Sequence, residues 1–316
     1  MARSRLSLIA LTLTLLVLAT AFLTWQLRAP MAFILELRTT KLATLICVGA
    51  ASGAATILFQ TVAMNRLLTP SLVGFDALFV LMQTLLVALI GGVGVAQIPG
   101  AARFLIEAAV LMSASTALFW VLLRRDAGDI TRMILTGVIL GVLLRGLASM
   151  IQRMLDPSEF AVVQQAMFAS FGGVDSDIMM VAAVVLLVSI GMALWLAPSL
   201  DVVALGRGTA RGLGLDHSRI VLIALILIGA MVSVSTALVG PIIFLGLLAA
   251  SFARLLTDTH RHIVLIPAAA LIGAVILVAG QFVFERLLGS QSALAVVVEF
   301  FGGLMFLFLV LRKAPR

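Results

Sequence analysis

Four ionisable residues lie inside otherwise apolar stretches of the sequence: Asp76, Glu107, Arg145 and Glu299. A charge placed in hydrocarbon costs several kcal/mol unless it is paired or wetted, so these residues are the first candidates for chemistry. Asp76 and Glu107 lie near the ends of their stretches, where a side chain can reach polar headgroups. Arg145 and Glu299 lie deeper. Either these two form an ion pair, or one of them lines a water-filled pathway.

Residue types that build catalytic sites are sparse elsewhere in the chain. A phosphate-binding loop needs GxxxxGK followed by Ser or Thr, and neither lysine, Lys41 or Lys313, follows such glycines. The sequence has no HExxH or CxxC spacing. The three histidines fall in predicted loops, where we expect them to be solvated: His217, His260 and His262. The chain is therefore predicted to bind no ATP, metal or cofactor itself.

An intramembrane enzyme would need convergent polar groups at one depth. Ser233 and Ser235 lie in an apolar stretch with no histidine at similar depth, which argues against a buried serine hydrolase. The scatter of the other polar residues argues the same way. We therefore expect a protein that is not catalytic.

Composition identifies the class of protein. The chain has 316 residues, of which 63% are hydrophobic and 11% charged, whereas a soluble domain is about half apolar and a quarter charged. Its one cysteine, Cys47, lies in an apolar stretch and is most simply a packing residue. The net charge of +7 comes without a basic run interleaved with aromatics, so no nucleic-acid partner is expected.

Ten apolar stretches approach the length of about 20 residues that crosses a bilayer. They cover residues 6–27, 42–64, 72–92, 103–123, 130–152, 177–197, 219–239, 241–256, 263–284 and 292–311. The eighth is short and follows Gly240-Pro241, so it joins the seventh by a tight turn or a re-entrant piece. The sequence predicts an all-α, polytopic membrane protein with a single transmembrane domain over residues 1–316.

Small residues predict where helices approach closely. Gly49 with Gly53, and Gly137 with Gly141, have the spacing of close helix contacts. Val73-Gly74 and Val239-Gly240 occupy similar positions in the two halves of the chain, which hints at an internal repeat.

Basic residues predict the orientation. A cytoplasmic N-terminus places two thirds of the 21 Lys and Arg residues at inner ends, which satisfies the positive-inside rule. Both termini and Leu200–Ser218 are then cytoplasmic. Arg3, Arg5 and Ala19-Thr20-Ala21 resemble a signal peptide, but the apolar run continues to Leu27, so we interpret it as a membrane anchor.

Leu200–Ser218 is the longest interruption on the predicted inner side. Asp201 is expected to cap a short helix, Gly206 to turn the chain, and a second helix to run from Thr209 to Gly214. Two basic residues, Arg207 and Arg211, share one face of that helix, and two apolar residues, Ala210 and Leu213, share another. Such a surface suits docking of a soluble partner. The alternative is an amphipathic helix that lies on membrane lipid.

Charged residues at the predicted outer ends are candidate contacts for an extracytoplasmic partner: Arg38, Lys41, Arg153, Glu159 and Arg286. Asp156–Gly173 is predicted to contain a helix that starts at Pro157–Glu159 and stops at Gly172-Gly173. The alternative is that the basic residues anchor helix ends in the headgroups. Four methionines on or after the fifth stretch either line a route for a bulky substrate or pack ordinarily: Met133, Met150, Met154 and Met167.

Several of these motifs resemble the iron–siderophore and cobalamin family of ABC permeases. Ala204-Leu205-Gly206 followed by Ala210-Arg211-Gly212-Leu213-Gly214 resembles the family's coupling loop. Gln60, Asn65, Pro70 and Gly74 resemble its loop after the second helix, and Gly240-Pro241 with Phe244–Leu247 resembles a third family motif. Ala250-Ser251 replaces the family's usual Pro-His pair. The stretches FQTVAMNRLLTPSLVGFD and SVSTALVGPIIFLGLL look like the subgroup that serves catecholate-type siderophores.

The resemblance implies a vitamin B12 permease-like bundle of ten helices, as in type II ABC importers. It implies a second, homologous permease subunit, two cytoplasmic ATP-binding subunits, an extracytoplasmic siderophore-binding protein and a bacterial inner-membrane location. ATPase coupling would use residues Ala204–Arg207 and Ala210–Gly214. The fifth span would line the pathway, with Met133, Thr136, Arg145 and Glu299 as candidate pathway or gate residues.

We therefore expect the permease subunit of an importer for a ferric siderophore, with cobalamin, haem or another iron chelate as alternative cargo. A secondary transporter driven by an ion gradient is the rival function. It would require a substrate-coupled carboxylate in the membrane, for which Glu299 is the candidate.

Overall fold

The computed structural model describes residues 2–26, 31–124, 130–287 and 294–312. Within these ranges the chain forms helices and turns and contains no strand, as predicted. The helices are α1 (Ala2–Thr24), α2 (Met31–Val62), α3 (Phe75–Gln97), α4 (Gly100–Arg124), α5 (Ile130–Gln152), α6 (Pro157–Ala166), α7 (Ser176–Val203), α8 (Arg207–Gly212), α9 (His217–Val239), α10 (Leu245–Thr257), α11 (His262–Phe282) and α12 (Leu294–Arg312). A 3₁₀ turn at Ser71–Val73 precedes α3, and a π-helical turn at Val283–Leu287 follows α11.

Each of the ten predicted spans corresponds to a helix, so the all-α polytopic fold is confirmed. Eight of the described helices are long and apolar enough to cross a membrane. The eighth predicted span, α10, has 13 residues and reaches only about 20 Å, which is too short to cross a bilayer.

Two predicted boundaries were wrong. The second span was expected to begin at residue 42, but α2 begins at Met31, so Arg38 and Lys41 lie within the helix. The sixth was expected to end before Pro198, but α7 continues through this proline to Val203. A proline inside a membrane helix is tolerated because neighbouring groups satisfy the backbone carbonyl that it frees.

The bundle is built around a backbone-to-backbone contact between α2 and α11. A Cβ added at Gly49 would lie 2.5 Å from the carbonyl oxygen of Gly273, and one added at Gly53 would clash with Ala269. The predicted close contact at Gly49 and Gly53 is therefore confirmed. α7, α9 and α10 pack around this pair, and α1 lies against α11.

A second small-residue contact joins α5 to the start of α3. Gly137 lies against Val73, and Gly141 lies against the Cα of Gly74, as the spacing of the two α5 glycines predicted. Gly74 has a φ of 104°, which favours glycine, and it ends the 3₁₀ turn and begins α3.

The two halves of the chain contain matching interruptions that meet inside the bundle. α2 runs towards the end that carries α8, whereas α9 runs away from it. After each helix the chain turns back into the bundle, at Thr69–Ser71 and at Gly240–Ile243. Both segments line one cavity of about 30 Å³, together with Ser235. Equivalent breaks that approach from opposite ends are the arrangement of an inverted repeat.

Replacement of Gly273 by Ala is expected to lower the free energy of unfolding by about 2 kcal/mol, because the added methyl group would meet the α2 backbone at Gly49. Gly191→Ala in α7 is the matched control, since a Cβ there meets nothing within 4 Å. That control should be neutral or stabilising by about 0.5–1 kcal/mol. Unfolding in detergent micelles measures both, and equal values for the two variants would contradict the importance of this contact.

Candidate functional site at the α8 end of the bundle

The short helix α8 stands between two glycines in unusual backbone conformations. Gly206 precedes it with a φ of 93°, and Gly214 follows it with a φ of 80°. The predicted turn at Gly206 and stop at Gly214 are confirmed, although the helix begins at Arg207 rather than Thr209. The predicted cap at Asp201 is wrong, because α7 continues past this residue to Val203.

α8 presents a mixed apolar and basic surface. Ala210 is fully buried and holds the helix against the bundle, whereas Leu205 and Leu213 are 58% and 65% exposed. Arg207 and Arg211 are exposed beside them. The expectation that Ala210 and Leu213 share a face was wrong, because the helix ends at Gly212 and Leu213 turns outward. Exposed leucines next to arginines suit a protein partner with apolar and acidic groups.

A buried hydrogen-bond network lies directly beneath α8. The Asp201 carboxylate accepts from the backbone N–H of His262 at 2.8 Å, and its Oδ1 lies 2.6 Å from the His262 Nδ1. The other ring nitrogen of His262 lies 2.7 Å from the Thr61 hydroxyl. This network joins the last turn of α7 to the first residue of α11 and to the end of α2.

The expectation that His262 is solvated was wrong, since its side chain is only 3% exposed. Its neighbour His260 is exposed, as predicted. One signal for this contact was usable. α11 has no side-chain cap of its own, so a carboxylate from another helix was needed to accept from its first N–H.

Gln60 organises the corner after α2. Its side-chain amide donates to the Arg66 carbonyl at 2.6 Å and accepts from the Arg254 guanidinium at 3.1 Å. Asn65 closes the corner, because its side-chain oxygen accepts from the Leu67 N–H at 2.9 Å. The family-motif residues Gln60 and Asn65 thus shape this corner, whereas Pro70 and Gly74 lie in the break that leads to α3.

The corner also contacts the start of α8. Met64 adopts a left-handed conformation with a φ of 52°, and its Cε lies 3.9 Å from where a Cβ at Gly206 would be. A cleft of about 590 Å³ opens between the corner and Ala204-Leu205, and three arginines line it: Arg66, Arg254 and Arg261. Met64 therefore lies between the end of α2 and the start of α8, and Asp201 links the end of α7 to the start of α11.

The predicted outer-end residues lie at the opposite end, which carries α6. Lys41 pairs with Glu285 at 2.7 Å, and Arg286 lies 3.4 Å from the same carboxylate. Arg38 is 7% exposed and donates to two backbone carbonyls at the end of α1, both at 2.8 Å. These three side chains are engaged within the chain, which fits the role of anchoring helix ends.

Arg153 and Glu159 are placed differently. Arg153 is exposed just after α5, and Glu159 lies on α6 beside Gly91, where α3 is kinked. α6 begins at Pro157 as predicted but ends at Ala166, before the two glycines. The role of Arg153 and Glu159 as partner contacts stays a prediction.

The candidate pathway residues lie on α5 and α12. Thr136 and Arg145 are exposed on α5, Glu299 is half-buried on α12, and Met133 has a side chain outside the described part of the structure. Met150 and Met154 are 60% and 82% exposed, so ordinary packing does not account for them.

Both carboxylates expected at the headgroups are buried instead. Glu107 is 5% exposed and accepts from Arg103, one helical turn away, at 2.8 Å. Asp76 is also 5% exposed. The alternative of an ion pair between Arg145 and Glu299 is not found among the described side chains.

Comparisons with known proteins cover almost the whole chain. A sequence model described as the FecCD transport family matches residues 5–312. The chain is 36% identical over 282 residues to the petrobactin import system permease protein YclO of Bacillus subtilis, covering 89% of each protein. It is 30% identical over 299 residues to the ferric enterobactin transport system permease protein FepD of Escherichia coli, covering 90% of this chain and 84% of that one.

A solved structure has the same fold. A chain described as an inward-facing conformation of a metal-chelate type ABC transporter superposes with a TM-score of 0.78 at 22% identity. The match covers 97% of this chain and 99% of that one.

Replacement of His262 by Ala is expected to loosen α8, because it removes the link between Asp201 and Thr61. Hydrogen bonds to a charged group contribute about 1.5–3 kcal/mol, so the free energy of unfolding should fall by a comparable amount. Trypsin cleavage after Arg207 and Arg211 measures the local effect and should accelerate. His260→Ala, two residues away and exposed, is the control, and equal cleavage of both variants would exclude a role for the network.

Proposed function

The chain belongs to the FecCD transport family, and on that basis we propose that it is the permease subunit of an ATP-binding-cassette importer that carries a ferric siderophore across the bacterial inner membrane. Family membership confirms the resemblance to the iron–siderophore and cobalamin permeases. The observation that carries the proposal is α8, a short helix with exposed arginines and an exposed leucine on either side of it, at one end of a membrane bundle.

The proposed mechanism uses α8 as the contact with a cytoplasmic ATP-binding subunit. The leucines at positions 205 and 213 would enter an apolar groove of that subunit, and Arg207 and Arg211 would pair with acidic groups at its rim. ATP-driven closure of the two ATP-binding subunits would then displace α8. Through Asp201 and Met64 this displacement would reach α11 and α2 and switch the pathway between outward and inward access.

The proposed cargo follows from the relatives. The relative at 36% identity is named for petrobactin import, whereas relatives named for ferric enterobactin transport and for vitamin B12 import are each 30% identical. We therefore favour a siderophore, of catecholate type, over cobalamin or haem. The complex would contain a second, homologous permease subunit and receive its cargo from an extracytoplasmic binding protein.

Gly206→Trp and Arg211→Glu are each expected to abolish ATP-driven uptake of the ferric siderophore while leaving membrane insertion intact. The first fills a turn that needs a φ of 93°, and the second reverses a charge on the exposed surface of α8. Uptake of radiolabelled iron by proteoliposomes containing the whole complex measures the effect. Arg5→Glu makes the same charge change at an exposed position on α1 and should retain uptake.

Purification of the chain from its host in mild detergent, followed by mass spectrometry, is expected to recover an ATP-binding subunit and a homologous permease subunit. Arg211→Glu should reduce recovery of the ATP-binding subunit at least tenfold without loss of the second permease. Recovery of the permease chain alone under several detergents would contradict the proposed assembly.

A further inference from the structure

Asp76 has a buried carboxylate that lacks a hydrogen-bond partner in the described part of the chain. Its side chain is 5% exposed, and neither carboxylate oxygen has a hydrogen-bond partner among the described residues. The Ser71 side chain interacts with the Asp76 carboxylate, although not at the distance and angle of a full hydrogen bond. A buried carboxylate without a partner is costly, and within a membrane it points to a function.

Asp76 lies at mid-depth, next to the contact between α3 and α5. It is the second residue of α3, two positions after Gly74, which lies against Gly141 in the middle of α5. The positive end of the α3 dipole favours a negative charge at this position. Asp76 is therefore placed to stay ionised if a cation from α5 reaches it.

Arg145 is the cation that α5 supplies. Gly137, Gly141 and Arg145 follow each other at four-residue steps, so Arg145 continues the stripe that faces α3. Its side chain is exposed and makes no hydrogen bond or ion pair with any described residue, yet its charge acts on Asp76. Glu299, on α12, carries the same negative charge as Asp76 and lies close enough to repel it.

The exposed side chain of Arg145, about two turns inside the end of α5, restricts what can lie against this helix. Lipid is a poor neighbour for it, because a charged side chain at the bilayer centre costs several kcal/mol. This side of α5 must instead face water or another protein subunit. In this structure Arg145 therefore faces water or another protein subunit. The carboxylate of Asp76, which has no hydrogen-bond partner among the described residues, lies within range of its charge.

We propose that Asp76 and Arg145 form a direct ion pair in another conformation of the transporter and that this pair fixes α5 against α3 in that state. The inference rests on the proposed function, since it assigns the pair to the transport cycle. Gly74, Gly137 and Gly141 carry no side chains at this contact, so the main obstacle to a shift of α5 along α3 is Val73, which packs against Gly137. When the ion pair forms, Asp76 and Arg145 neutralise each other. When the pair breaks, Arg145 again faces the water or protein on the outer side of α5.

The test is a charge exchange in the complete importer. Asp76→Asn and Arg145→Gln should each lower ATP-driven uptake at least about tenfold, since breaking a buried pair leaves an uncompensated charge. The exchanged double variant Asp76→Arg with Arg145→Asp should recover uptake to within a few-fold of the original. Glu107→Gln is the control, because this carboxylate is equally buried but is paired with Arg103 within its own helix, and it should not respond to changes at Arg145.

A second measurement does not depend on whether the Asp76→Asn variant folds. Cys47 is the sole cysteine, so Cys47→Ser gives a background into which Asp76→Cys and Arg145→Cys can be introduced. Their cross-linking yield should differ at least several-fold between the nucleotide-free complex and the complex trapped with a non-hydrolysable ATP analogue. Equal yields in both states, or normal uptake by Arg145→Gln, would overturn the inference while leaving the proposed function intact. Failure of the unmodified complex to import with ATP would instead refute the proposed function.

Discussion

The close approach of α2 and α11 is the constraint on which the rest of the molecule depends. Lipid tails are as apolar as leucine, so helices in a membrane associate through close packing and polar contacts rather than through exclusion of water. Gly49 and Gly273 remove every side chain from the contact and let the two backbones touch. Both ends of this helix pair are then close enough for polar links. Lys41 reaches Glu285 at one end, and Thr61 reaches His262 at the other.

This pair determines where α8 can be. α7 ends beside it, because the Asp201 carboxylate serves as the missing cap of α11. The chain then turns at Gly206 against Met64, at the corner that Gln60 shapes. The segment that leads into α8 therefore lies next to the ends of α2, α7 and α11. Short polar or van der Waals contacts connect these ends. These short links are what the proposed coupling would use to move the ends of α2, α7 and α11 together.

The sequence predicted the parts of this arrangement that depend on local pattern. The apolar stretches located the helices, the four-residue glycine spacing identified the close contacts, and Gly206 and Gly214 bounded α8. It failed where a side chain meets a distant part of the chain. Asp201 looked like a helix cap, and it is one, but for α11 rather than for a helix of its own. Asp76 looked peripheral because a position near the end of an apolar stretch does not reveal that the helix begins inside the bundle. Glu107 looked peripheral because its position does not reveal that it is buried and paired with Arg103.

The uneven burial of the helices shows which surfaces the bundle leaves uncovered. In α2, 72% of the most apolar window is buried, whereas only 6% is buried in α1 and 11% in α5. Lipid can cover α1, because the exposed residues in the middle of that helix are apolar or are threonines whose hydroxyls donate to backbone carbonyls of the same helix. It cannot cover α5 in the same way, because Arg145 lies exposed among the leucines and valines of α5. With so little internal packing and a charge inside its apolar run, α5 is a poor surface for lipid, which supports the proposed second subunit or a water-filled pathway at this face.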